Sequence, residues 1–175
     1  MGPVLCHREV ADDDFSAFVA AQLPGLLRFA HLLTGDPAAA EDLVQTALAR
    51  THLRWSQLRE PAAAGAYVRT AMVRQHSNLR SRLHARERVV ATVPERADAR
   101  AQYDEVDERN AMWSALARLG PRQRAVLVLR YYERLSEAEI AGVLRCSTGT
   151  VKSQSSKALA RLRAVIESDR EAVQP

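Results

Sequence analysis

Apolar residues in the first third of the chain recur at three- and four-residue intervals. Phe15, Phe18, Val19, Leu26, Phe29, Ala30 and Leu33 fall on one face of a helix expected from about Asp14 to Leu33. Pro24 lies within that span and predicts a kink or a break into two helices. Thr34-Gly35-Asp36-Pro37 reads as a stop and a restart: glycine ends one helix, aspartate caps the next and proline takes its first position. A second helix is expected from about Pro37 to Trp55. Its inward stripe is Ala40, Leu43, Val44, Ala47, Leu48 and Leu53, and its other face carries Glu41, Asp42, Gln45 and Thr46. Ser56–Gly65, which contains Pro61, reads as a loop. A third helix is expected from about Ala66 to Val90, with Tyr67, Val68, Ala71, Met72 and Leu79 as core. Its solvent side carries Arg69, Arg74, Gln75, His76, Asn78, Arg80 and Arg82.

The second half has a tighter pattern. Asn110–Leu119 reads as a short helix with Met112, Trp113, Leu116 and Leu119 on one side, broken by Gly120-Pro121. Arg122–Glu133 reads as the next, with Val126, Leu127, Leu129 and Tyr132 inward. Ser136–Val143 follows, where Ser136 caps and Glu139 completes a capping box. Thr148–Ile166 is the last. The fold class expected is all-α, with two small helical domains at 14–90 and 110–167. A linker at 91–109 joins them, and tails at 1–13 and 168–175 flank them.

The final two helices have helix-turn-helix spacing. Ala141 is small enough for close helix packing, Leu144-Arg145-Cys146-Ser147 forms the turn, and Ser147 or Thr148 caps the next helix. That helix turns Val151, Ser155, Ala158, Leu159 and Leu162 inward and Gly149, Lys152, Ser153, Ser156 and Lys157 outward. The outward face is compact, polar and positive, with no carboxylate. A major groove roughly 12 Å wide requires such a face, and the N-terminal residues of a recognition helix do the reading. A plain helical hairpin with a basic solvent face is the bland alternative. Pattern, turn and charge agree on the helix-turn-helix.

Composition narrows the picture. Aromatics are only 5%, which disfavours an all-β fold. Runs such as Ala62–Ala64 and Val126–Leu129 are far short of a membrane span. Cys6 and Cys146 build no disulfide framework, and Met1–Asp14 lacks a signal-peptide pattern, so a reduced, cytoplasmic protein is expected. Cys146 suits packing in the turn, and Cys6 with His7 makes no zinc site. Neither a cofactor nor a metal is implied. No phosphate-cradling loop or nucleophile–base pair is visible, so no enzyme is expected.

Charge alternates along the chain. Residues 10–62 carry a net −3, 63–93 a net +5, 94–110 a net −3 and 145–163 a net +5 with no acid. Two basic blocks separated by an acidic one suggest two contacts on one polyanion. All but two of the 25 basic residues are arginine, which suits phosphate through its planar fork.

The stretch ALARLGPRQRAVLVLRYYERLSEAEIAGVLRCSTGTVKSQSSKALARLR, residues 115–163, resembles region 4 of the extracytoplasmic-function (group 4) sigma factors of bacterial RNA polymerase, in particular an actinobacterial sub-family. AAAEDLVQTALARTHLRW, residues 38–55, resembles region 2.2, and AYVRTAMVRQHSNLRSR, residues 66–82, takes the place of region 2.4. The resemblance implies a specificity subunit that binds core polymerase and promoter DNA. The face with Glu41, Asp42, Leu43 and Gln45 would dock on the β′ clamp helices, and the β flap would be a second contact. Helix three, through Arg69, Arg74, Gln75, His76, Asn78, Arg80 and Arg82, would contact the −10 element. The Ser56–Ala66 loop would hold a base flipped from the non-template strand. Thr148, Lys152, Ser153, Ser156 and Lys157 would read the −35 element, with Arg130, Arg134 and Arg145 as weaker phosphate contacts. The linker would thread toward the active-site cleft. An anti-sigma factor often holds such proteins, although some relatives lack one.

The sequence departs from the family at Arg74-Gln75, where relatives commonly carry Asn then Arg. It departs again at Asn78–Arg82, where they often carry a Trp-Trp-Arg-rich run. These departures bear on −10 preference and melting rather than on fold. Two other readings remain open on the residues alone. One is a stand-alone helix-turn-helix regulator with an N-terminal dimerisation or ligand domain. The other is a scaffold that uses helix two for protein contacts only. Trp55, just before the loop, reads as core packing.

Overall fold

The computed structural model describes the backbone of residues 4–58, 63–87, 113 and 115–173, and the side chains of 13–58, 63–77, 113 and 115–168. Every regular element among them is helical: α1 (Val4–Thr34), α2 (Pro37–His52), a 3-10 turn (Trp55–Gln57), α3 (Ala64–Glu87), α4 (Pro121–Leu127), which continues as a π-helical turn (Val128–Tyr132), α5 (Glu137–Leu144) and α6 (Thr148–Val173). Residues 115–117 are also helical. By its internal contacts the chain divides into two units, Met1–Gln75 and His76–Pro175, and the division falls within α3. The expected linker and most of the expected helix from Asn110, including Met112, lie outside the described residues.

In the first unit α1 packs along α2. The hinge between them is built as its residue types require. Gly35 takes φ 74°, a region open to glycine, and its N–H donates to the His31 carbonyl at 2.8 Å. Asp36 caps α2 by accepting the Ala39 N–H at 2.7 Å, and Pro37 follows at the first helical position. The core holds Leu26, Phe29, Ala30 and Leu33 of α1, Ala40, Leu43, Val44 and Ala47 of α2, and Ala64, Val68, Met72 and Val73 of α3.

Several expectations change here. The tail expected over 1–13 is helical from Val4, and α1 runs unbroken through Pro24 to Thr34. A proline inside a helix costs about 3 kcal/mol. Fully burying a Leu or Phe side chain stabilises by about 1.5–3 kcal/mol, so the downstream half of α1 outweighs it. Asp13–Thr34 is, by length and composition alone, apolar enough to cross a membrane, contrary to the expectation from short runs. Its inward residues instead meet α2. The second helix ends at His52, and Leu53, expected inward, is 80% exposed. Tyr67 and Tyr132, both expected in the core, are exposed as well. Val73, which the pattern did not mark, is buried.

In the second unit α4 and α5 both pack against α6. Gln123 Oε1 accepts the Gly120 N–H at 3.3 Å, and Pro121 opens α4. The buried run Arg124–Leu129 is continuous through the change from α to π geometry. Ile140, Val151 and Ala158 close the core between α5 and α6.

Candidate nucleic-acid interface

The helix-turn-helix forms as its sequence directs. Ser136 caps α5 by accepting the Glu139 N–H at 3.3 Å, and Glu139 Oε2 accepts the Ser136 N–H at 2.8 Å. The Ser136 contacts hold the Glu139 carboxyl below its ordinary value. The chain turns at Arg145, which takes the left-handed conformation with φ 53°, and the Cys146 N–H donates to the Ala141 carbonyl at 3.0 Å. Ser147 then caps α6, accepting the Thr150 N–H at 3.1 Å. Val151, Ser155 and Ala158 face inward and are buried, with Leu159 and Leu162 half-buried beside them.

The opposite face of α6 presents Thr148, Lys152, Ser153, Ser156 and Lys157, all exposed. The structure thus brings these five candidates onto one surface at the N-terminal end of α6. Arg134 and Arg145 are exposed, while Arg130 is half-buried. Cys146 is half-buried and free.

Sequence reasoning missed one residue at this surface. Glu137, on α5, accepts a hydrogen bond from Arg130 Nη1 at 3.0 Å and lies 3.7 Å from Lys152 Nζ. The recognition stripe lacks acids in sequence, yet the fold brings one to its edge from the neighbouring helix. The signal was present in the LSEAEIA motif, where only Ser136 and Glu139 are used by the cap.

The candidates on α3 are distributed differently. Arg69, Arg74 and Gln75 are half-buried, and His76, expected on the solvent side, is only 8% exposed. It continues the buried stripe Ala64, Val68, Met72 at four-residue steps, so helical spacing itself places it inward. A Cβ on Gly65 would lie 3.0 Å from Arg69 Nη1, and one on Gly25 3.6 Å from Arg69 Nη2. Arg69 therefore lies across the glycines of α1 and α3 instead of reaching outward. The side chains of Asn78, Arg80 and Arg82 lie outside the described residues. The expected Ser56–Ala66 loop is shortened at both ends, by the 3-10 turn and by the start of α3, and residues 59–62 lie outside the described residues. Trp55 meets Phe15 edge to face at 5.1 Å and Phe18 at 5.0 Å, a packing role as expected.

On α2, Glu41, Asp42 and Gln45 are exposed, whereas Leu43 is buried and cannot itself offer a docking surface. Leu53 extends the exposed side beyond the helix end. Burial holds His31 below its ordinary value, while Asp36 pulls it partly back up. Among the described residues no group of three His, Cys, Asp or Glu is placed to hold a metal.

Residues 18–86 match the family described as Sigma-70 region 2, and residues 109–162 match Sigma-70, region 4. The chain is 39% identical to the RNA polymerase sigma-E factor of Streptomyces avermitilis, covering 94% of this chain and 90% of that one. It is 35% identical to the ECF RNA polymerase sigma factor SigL of Mycobacterium tuberculosis, covering 81% and 82%. Among solved structures it is similar to the sigma factor RpoE in complex with the anti-sigma factor NepR from Bartonella quintana. That match has a TM-score of 0.65 at 27% identity over 88% of this chain and 97% of that one. CnrH, in complex with the cytosolic domain of CnrY, shares the fold, with a TM-score of 0.60 at 19% identity over 93% and 97%.

Proposed function

Because the chain belongs to the extracytoplasmic-function RNA polymerase sigma factors of the sigma-70 family, we propose a residue-level division of labour between its two units. The protein binds core RNA polymerase and directs it to promoters. The second unit reads the −35 element as duplex through Lys152, Ser153, Ser156, Lys157 and Thr148. One observation carries this reading: these side chains form a single exposed stripe on a capped recognition helix. Of the cations on this stripe Lys152 is placed to reach base edges and Lys157 phosphate, and the small hydroxyls let the helix approach the groove.

The first unit docks on the polymerase through Glu41, Asp42 and Gln45, with exposed Leu53 as an apolar neighbour and Leu43 behind them as support. Acids on an otherwise basic protein suit a basic partner surface. Arg74 and Gln75, with Asn78, Arg80 and Arg82 further along α3, face the −10 element, whereas Arg69 and His76 hold α3 in place. The β flap is the contact for the second unit. Bond formation stays with the polymerase, so this chain supplies specificity and no catalytic group, and it works in the cytoplasm where its polymerase is. The Bartonella relative binds an anti-sigma factor, and a protein of that class is a further partner here.

The test is reconstitution. The purified chain should co-migrate with core polymerase lacking a specificity subunit and start transcripts at a defined set of promoters. A chain that instead dimerises and grips an inverted repeat unaided would be the stand-alone regulator. The match to region 2 across the first unit argues against that alternative.

A further inference from the structure

Glu137 is the first residue of α5, and 29% of its side chain is exposed. Each of its carboxylate oxygens faces a different cation. Oε1 accepts the Arg130 hydrogen bond at 3.0 Å, and Oε2 lies 3.7 Å from the Lys152 ammonium. Arg130 belongs to the π-helical turn and Lys152 to α6, so one acid joins three elements. These residues edge an open cleft of about 440 Å³ that also reaches Tyr131, Ser156 and Arg163. The shorter contact anchors the carboxylate on Arg130. The longer one reaches a lysine whose side chain is still 69% exposed.

We propose that Glu137 is a specificity-determining residue, which acts by withholding Lys152 from phosphate and so makes binding by α6 depend on base sequence. The inference rests on α6 being the −35 reader. An unrestrained lysine on a recognition helix finds phosphate oxygens whatever the sequence, and such contacts carry most non-specific affinity. Glu137 opposes this in two ways. It biases the flexible Lys152 stem toward one orientation, and its charge repels a phosphate that approaches the same ammonium. An exposed pair at this distance is weak. A base edge with two acceptors, as guanine presents in N7 and O6, can therefore take the ammonium from it. Arg130 keeps the carboxylate in place while this exchange occurs.

The experiment uses holoenzyme reconstituted with wild type, Glu137→Gln, Lys152→Met and the double variant. Binding is measured over a salt series on two promoter duplexes, one with the −35 element mapped from transcript starts and one with that element scrambled. Glu137→Gln should raise affinity for the scrambled duplex by about threefold, the scale of one added phosphate contact, and steepen the salt slope by about one unit. The ratio of matched to scrambled affinity should fall. In the Lys152→Met background Glu137→Gln should leave that ratio unchanged. A purely structural role for Glu137 would alter both duplexes by the same factor. An unchanged ratio in the single variant, or a changed one in the Lys152→Met background, overturns the proposal. Failure of the underlying reading looks different: wild-type holoenzyme would then bind both duplexes equally, and Lys157→Ala would alter neither.

Discussion

Arg124 and Ala117 are joined by a hydrogen bond of 2.6 Å from the guanidinium Nη2 to the carbonyl oxygen, with the Leu119 carbonyl 3.4 Å from the same nitrogen. Arg124 is only 4% exposed. Its Nη2 thus donates to carbonyls at the end of the preceding helical segment, where intrahelical donors run out. A buried charge held by backbone oxygens fixes how residues 115–119 sit on α4.

Arg124→Met should therefore destabilise the protein by about 2–3 kcal/mol, the loss expected for hydrogen bonds to a charged group with acceptors left unmet. Arg124→Lys should recover part of this, because one cationic nitrogen makes both contacts and an ammonium supplies such a donor. Urea unfolding followed by circular dichroism measures both. Equal stability of Arg124→Met and wild type would refute the role.

Three nearby positions on α2 separate folding from docking. Leu43→Ala should lower stability by about 2–5 kcal/mol, as for other large-to-small core changes. Asp42→Arg combined with Gln45→Ala should leave the thermal midpoint unchanged and weaken assembly with core polymerase. Holoenzyme formation at wild-type affinity by that pair would remove the docking role from this face.

On α6, Lys152→Ala should cost about 1–3 kcal/mol at a matched −35 element and less at mismatched ones, as for a base contact. Lys157→Ala should weaken all sequences alike and flatten the salt slope by about one unit, as for a phosphate contact. Interchanged outcomes would swap the two assignments.

Arg145 holds a left-handed backbone conformation that costs an L residue about 1–2 kcal/mol. Arg145→Gly should raise stability by about 1 kcal/mol. The same change should weaken promoter binding at low salt if the arginine touches phosphate. A variant that is more stable and binds equally well would leave Arg145 a turn residue only.

His31 gives a pH dependence of known sign. Burial lowers its pKa in the folded state, with Asp36 opposing, so folding favours the neutral ring. Its contribution is present above the ordinary histidine value of 6.5 and is lost as pH falls from there through the lowered folded value. The urea midpoint should be lower at about pH 5.5 than at about pH 7.5, and His31→Gln should shrink that difference. A difference of the same size in the variant would assign it to other groups.

The helix-turn-helix was legible because its determinants are local. The Ser136–Glu139 box, the turn before Ser147 and the stripe Val151, Ser155, Ala158 all act within a few residues. The hinge at Gly35-Asp36-Pro37 was legible for the same reason. Legibility failed where a residue's partner is distant in sequence. Arg69 looks like a surface residue along α3, and only packing places it over Gly25 and Gly65, whereas His76 follows the four-residue stripe of Val68 and Met72. Tyr67, Tyr132 and Leu53 look like core, yet all three are exposed.

The amino-acid order alone thus determined the all-helical fold class, the hinge, the capped recognition helix and its cationic face, because backbone caps and helical periods are short-range. Tertiary structure decided that α1 survives Pro24, that Arg124 is an interior strut and that Glu137 meets Lys152. Each of these depends on apolar burial or on charges brought together by the packing of separate helices, which no spacing along a single helix specifies.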